Sequence, residues 1–279
     1  MDAFEIVDPR FRAVSVRRLS KVSLNARAPE ALAAFFVDAL GFANQGAMNG
    51  VITLILGGSR LDIAAVNGRA YPSGVAAWSP LFQHFAITTG DIDTAMARLR
   101  QQPGWTPITE GGPQRLPVAS GGVTAFKFRD PEGHPLELIA FPTEDDAPSR
   151  IDHSALSVAD TIRSVLFYQR LGLAVGARSL NGGPEQDRLD GLIGAEVEVT
   201  ALNLPEGRTH LELLGYHGDY RRESQPAAEN DVAGTELVFT TAGADELEEM
   251  RRSLSPSAAP GVLRLRDPDG HRVRIEIAG

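Results

Sequence analysis

Six histidines and no cysteine leave imidazole and carboxylate as the groups able to bind a metal or move a proton in this chain. His210 and Glu212 alternate within THLELLGY, so on a strand both face the same way and can line one surface. His134 and His271 each close an Arg-Asp-Pro-acidic-Gly-His stretch, a turn in which a surface imidazole is the expected state. His217 lies in a polar loop and carries no signal. The polar run RSLNGGPEQDRLDG (Arg178 to Gly191) reads either as an exposed hairpin, which Asn-Gly-Gly favours, or as a substrate-contacting rim of Asn181, Glu185, Gln186, Arg188 and Asp190. Gly111 and Gly121 lack the strand-to-helix context of a phosphate loop, so nucleotide binding is not supported.

The elements that must position these groups come as an internal repeat. KVSLNARAPEALAAFFVDALGF (Lys21 to Phe42) and HSALSVADTIRSVLFYQRLGL (His153 to Leu173) each read as a short strand, an amphipathic helix and a Leu-Gly stop. A second pair follows: QHFAITTGDIDTAMARL (Gln83 to Leu99) and TELVFTTAGADELEEM (Thr235 to Met250). Their helices are expected to open after small or acidic residues that cap free N–H groups. FRDPEGHPLELIAF (Phe128 to Phe141) and LRDPDGHRVRIEIAG (Leu265 to Gly279) repeat a turn between two strands. SRLDIAAV and THLELLGY close the first and third units as alternating strands. The order is therefore A, B, A′, B′. Little beyond SPSAAP (Ser255 to Pro260) follows the last helix, so unit B′ reads as one strand short.

This predicts an N-terminal arm (1–16), a first domain (17–141, units 17–66 and 82–141), a linker (142–150) and a second domain (151–279, units 151–216 and 234–279). The longer junctions, Asn67 to Phe82 and His217 to Gly234, hold Tyr71, Trp78, Phe82 and Tyr220 and are expected to carry or cover a site. The net charge of −9 argues against a nucleic-acid partner; Arg10, Arg12, Arg17 and Arg18 read as a solvated arm. No window approaches the ~18 apolar residues of a membrane span, and residues 1–14 do not read as a signal peptide, so the expectation is a cytoplasmic protein without disulfides.

The unit order, the phrase HSALSVADTIRSVLFYQRLGL and the phrase FKFRDPEGHPLELIAF resemble the vicinal oxygen chelate superfamily, which includes glyoxalase I, extradiol dioxygenases, methylmalonyl-CoA epimerase and fosfomycin- and bleomycin-resistance proteins. The resemblance runs from about Arg17 to the C-terminus. It implies an α+β fold of four βαβββ-type units, the last one strand short, pairing into two open, cup-shaped mixed sheets with helices outside. It also implies a divalent metal (Fe, Mn, Ni, Zn or Co) held by the first and last strands of paired units. With the units paired within each half, those positions carry Lys21, Asp62, His84 and Glu137 in domain one, and His153, Glu212, Glu236 and Arg274 in domain two.

So grouped, each half has one histidine, two carboxylates and one cation that cannot ligate while protonated. Two readings follow. A metal site would use His153, Glu212 and Glu236, or His84, Glu137 and Asp62, with Glu236, Arg274 and Lys21 as catalytic groups; domain two is preferred. Alternatively, Lys21 pairs with Asp62 or Glu137, and Arg274 with Glu212 or Glu236, so that an ion pair fills the metal's place. The first reading gives a metal-dependent lyase, isomerase or dioxygenase of a small oxygenated substrate. The second gives a non-catalytic binder with degenerate metal sites, Trp78 and Phe82 lining its pocket. A homodimer is a further expectation.

Overall fold

The computed structural model describes residues 15–143, 148–218, 225–255 and 261–278. Arg10, Arg12, Tyr220, the acidic centre of the linker and most of SPSAAP lie outside them.

Unit A runs β1 (Arg18–Ala26), α1 (Pro29–Leu40), β2 (Ala43–Met48), β3 (Val51–Leu56) and β4 (Ser59–Ala65). Unit B runs β5 (Gln83–Thr88), α2 (Ile92–Arg100), the two-residue strands β6 (Thr106–Pro107) and β7 (Gln114–Arg115), β8 (Thr124–Arg129) and β9 (Pro135–Ala140). Unit A′ runs β10 (Ile151–Ser157), α3 (Thr161–Arg170), β11 (Ala174–Gly182), α4 (Pro184–Asp190), β12 (Glu196–Asn203) and β13 (His210–His217). Unit B′ runs β14 (Glu236–Thr241), α5 (Ala244–Leu254), β15 (Leu263–Arg266) and β16 (Arg272–Ile277), three strands among the described residues.

The helices begin and end where local chemistry dictates. Asp91 and Asp160 sit just before α2 and α3, and their carboxylates accept backbone N–H groups of the first turn. α1 starts on Pro29 and stops at Gly41, which takes the left-handed conformation at φ 77°. Its buried stripe of Leu32, Phe35, Phe36, Ala39 and Leu40 packs into one continuous core shared by both sheets; Phe36 stacks on Phe85 of β5 with ring centroids 6.2 Å apart.

The strands do not pair within the sequence halves. One sheet has the order β15-β16-β14-β1-β4-β3-β2 and so joins unit A to unit B′. The other has the order β11-β12-β13-β10-β5-β9-β8-β6, with β7 also on β8, and joins unit A′ to unit B. The central seams are antiparallel: β1 against β14 and β10 against β5. The grouping of Lys21 and Asp62 with His84 and Glu137, and of His153 and Glu212 with Glu236 and Arg274, is corrected by this pairing. The physical reason lies in the connections. Residues 141–150 only carry the chain from β9 to β10 in one sheet, whereas 66–82 and 218–234 cross between sheets.

Arg178 to Gly191 is not a plain exposed hairpin. It finishes β11 and forms α4, which starts on Pro184 and lies between two glycines at positive φ, Gly183 and Gly191.

His134 and His271 are buried, not surface groups. His134 Nδ1 faces Asp130 at 2.8 Å and Nε2 faces the Val232 carbonyl at 3.2 Å. His271 repeats this with Asp267 at 2.8 Å and the Pro80 carbonyl at 2.7 Å. Each turn of one sheet is thereby fastened to the crossing connection that enters the other. Both ring nitrogens face acceptors, which only the doubly protonated imidazole satisfies. Burial opposes the charge, but Asp130 and Asp267 outweigh it and hold both histidines above their ordinary pKa.

A candidate metal centre in one of two cups

In both sheets a register shift sits at the start of the central strand, between Leu19 and Lys21 in β1 and between Ile151 and His153 in β10. Such an irregularity re-aims the next side chain. In the second sheet it turns His153 into the cup formed by β10, β13, β5 and β9. There His153 meets Glu212 from β13, His84 from β5 and Glu137 from β9. His84 Nε2 lies 3.0 Å from Glu137 Oε2; His153 Nε2 lies 3.9 Å from the same oxygen and 3.5 Å from Glu212 Oε2. His84, Glu137 and His153 are buried, and Glu212 stands toward the more open side with His210 Nε2 3.2 Å from its other oxygen.

The environment of each group fixes its charge. Burial lowers the pKa of His84 against the pull of Glu137, leaving a neutral imidazole. Burial works against His153 too, but Glu212, Asp152 and Glu137 raise it to about 9. Glu212 is pushed up by burial and pulled down further by His153 and His210, to about 2. Glu137, buried beside Lys127, also stays below the usual carboxylate range.

These residues fit a divalent ion. They supply two imidazole and two carboxylate donors, a set suited to Fe, Mn, Ni, Zn or Co. The ligand atoms of His84, Glu137 and His153 lie within 4.8 Å of one another, a spacing an ion about 2.1 Å from each can bridge, and Glu212 adjoins His153 at 3.5 Å. His153 Nδ1 is engaged by Asp152 at 3.1 Å, which turns Nε2 inward. The proton that His153 carries and a metal cation would occupy the same negatively charged slot.

Beside the four donors runs a buried polar network. Lys127 of β8, cross-strand from Glu137, places Nζ 2.6 Å from Asp190 at the end of α4. Asp190 also accepts from Gln186 and Tyr216. Of the polar run, Gln186 and Asp190 reach the cup, while Arg188 bonds Gln114 and Glu185 at its edge. Phe82 and Tyr216 belong to an apolar wall with Trp78 packed against it; Phe82 meets the His84 ring edge-on at 5.6 Å. Lys127 escaped the sequence reading, although its β8 position next to a predicted cup strand was a usable signal.

The corresponding positions of the first sheet hold Lys21, Asp62, Glu236 and Arg274, and they neutralise one another. Lys21 Nζ lies 3.5 Å from Asp62 and 3.1 Å from Glu276. Arg274 bonds Glu236 at 2.9 Å and Glu276 at 3.1 Å; Arg272 also reaches Glu236, and Arg60 binds Asp62. The alternative partners Glu137 and Glu212 stand in the other cup. Lys21, Asp62, Glu236 and Arg274 thus do not join the histidines.

Comparison with known proteins agrees with this architecture. No curated protein matches the chain in sequence. The structure of glyoxalase I from Zea mays aligns with TM-score 0.62 at 17% identity, covering 94% of this chain and 92% of that one. Its E144Q mutant aligns with TM-score 0.64 at 18% identity, covering 93% of each chain. A candidate dioxygenase from Bacillus subtilis subsp. subtilis str. 168 aligns with TM-score 0.56 at 12% identity, covering 94% and 85%. The sequence model of the Glyoxalase/Bleomycin resistance protein/Dioxygenase superfamily matches residues 18–138. In sequence the likeness to this superfamily covers residues 18–138, and over nearly the whole chain the fold is that of the glyoxalase I structure.

Proposed function

We propose that the chain is a metal-dependent enzyme acting on a small oxygenated substrate, with a divalent ion held by His84, Glu137, His153 and Glu212. The observation that carries the reading is the convergence of His84, Glu137 and His153 from three strands, their ligand atoms within 4.8 Å of one another, with Glu212 3.5 Å from His153 on the more open side. When bound, the ion supplies Lewis-acid polarisation of substrate oxygens. Four protein donors leave less room for further ligands than the three of an open facial triad, which favours a lyase or isomerase over a dioxygenase.

The remaining chemistry falls to the chain itself. Glu212, ionised and nearest the open side, is placed to hold or move a proton, with His210 behind its second oxygen. Asp152 orients His153, and Lys127 and Asp190 present a fixed charge pair beside the donors. Phe82, Tyr216 and Val197 exclude water from one wall.

Metal content after a chelator wash and reloading tests the proposal. About one equivalent of Fe, Mn, Ni, Zn or Co, lost in His84→Ala and in His153→Ala, is the expected result. A chain that takes up no ion, or takes it up unchanged in both variants, overturns it in favour of a sequestering binder.

A further inference from the structure

Beside the ion-paired cup, and sharing Lys21 with it, a cavity of about 420 Å³ opens at the seam between the sheets, a volume suited to a small molecule. Its walls come in matched pairs from units A and A′. The register that sets Lys21 against His153 and Asp62 against Glu212 also sets Arg18 against Arg150, Gly57 against Gly207 and Ser59 against Thr209, and all six line it. The cavity therefore lies where the two copies of one strand start and one hairpin turn face each other.

The turn of unit A is bonded across the seam to the start of β10, where the turn of unit A′ also bonds. Ser59 Oγ accepts from the Ile151 N–H at 3.1 Å, and Thr209 Oγ1 donates to the Ile151 carbonyl at 2.8 Å. At Gly57, at φ 53°, an added Cβ would stand 2.2 Å from the Ser149 carbonyl oxygen, so only glycine lets the turn approach this closely.

Duplication doubles the charge there. Arg18, Lys21, Arg60, Arg150 and Arg208 line the cavity, and no Asp or Glu does, in a chain of net charge −9. Lys21, Arg60 and Arg150 are held in place by Asp62, Glu276 and Asp152, none of which lines the cavity. Arg18 and Arg208 have no acidic partner among the described residues. They face the space from opposite units, Arg208 from the turn before β13 and Arg18 from the start of β1. Guanidinium groups converging with a lysine suit the several oxygens of a phosphate better than a single-point anion. The volume leaves room for an organic portion as well.

We infer that this seam cavity is a binding site for a phosphate-bearing small molecule, separate from the four-donor cup. Its test is calorimetric titration of the chelator-washed chain with inorganic phosphate and with glycerol phosphate at neutral pH. One saturable equivalent is expected, glycerol phosphate binding at least as tightly as phosphate. Arg208→Gln should weaken it severalfold, and Arg18→Glu with Arg208→Glu by about tenfold or more in Kd, since both side chains are exposed and the fold should persist. His84→Ala should leave the affinity unchanged. Absence of saturable binding, equal affinity in the arginine variants, loss in His84→Ala, or tighter binding of succinate than of either phosphate compound would overturn the inference.

Discussion

The two cups are built from the same parts in the same register, yet one gathers donors and the other gathers ion pairs. In each, a strand irregularity aims the first side chain inward and a parallel neighbour supplies a carboxylate across from it, Glu212 for His153 and Asp62 for Lys21. The difference rests on three positions. Where one cup has His153, His84 and Glu137, the other has Lys21, Glu236 and Arg274. Two permanent cations, Lys21 and Arg274, stand there, and Glu276 bonds both. The comparison teaches that a carboxylate cluster at the bottom of an open sheet needs positive charge, and that side chains can supply it as well as an ion.

The sharpest way to break the comparison is to exchange the charges. Lys21→His with Arg274→Glu should give the first cup a histidine and three carboxylates, and hence a second metal equivalent by elemental analysis. Unchanged stoichiometry would mean that the cups differ by more than these positions. Within the other cup, His153→Ala should lower metal affinity by about two orders of magnitude or more, read by competition with a chelating dye, while Lys21→Ala should leave it unaltered. Asp152→Asn, which weakens the partner of His153 Nδ1 (and of Arg150), should cost about 10–100-fold in the same assay. In the ion-paired cup, Glu236→Ala strips a carboxylate from Arg272 and Arg274 and should destabilise by about 1–2 kcal/mol in urea unfolding, because the pairs are only partly buried. Metal binding should not change.

The smallest effect concerns what both sheets share. His134 faces Asp130, with Glu132 and Tyr71 nearby, and His271 faces Asp267, with Asp269 nearby. Their pKa values are raised on folding, so their contribution is complete below the unfolded value of about 6.5 and fades as pH rises through the folded value. The urea midpoint should therefore fall as pH rises above about 6.5. A double His134→Gln, His271→Gln variant should flatten that slope.

Much of this was legible in the residues. The unit order, the helix starts at Asp91 and Asp160, the glycine stop at Gly41 and the partners of Lys21 and Arg274 follow from local periodicity, capping and charge. Which unit pairs with which was not, because the repeat reads identically under both arrangements and strand pairing is a non-local choice. The lengths of the connections held the missing signal, since a short linker keeps neighbours in one sheet and long ones can cross. His134 and His271 were misjudged because a turn sequence does not reveal that another loop will cover it. Glu276 escaped notice because it lies two residues beyond the predicted cup position.

Crossed pairing also imposes a timetable on folding. His84 and Ser154, which join the strands at the centre of the donor cup, are 70 residues apart, whereas Ser20 and Val238, which join the centre of the other sheet, are 218 apart. Loop closure makes the distant contact the slower one, and during synthesis β1 leaves the ribosome long before β14 exists. β1 is thus paired on its second edge only after β14 is made. Its run of Arg17, Arg18 and Lys21 puts positive charge on that waiting edge, which discourages pairing with another chain. The sheet carrying the four donors can be complete while its counterpart still waits for its C-terminal strands.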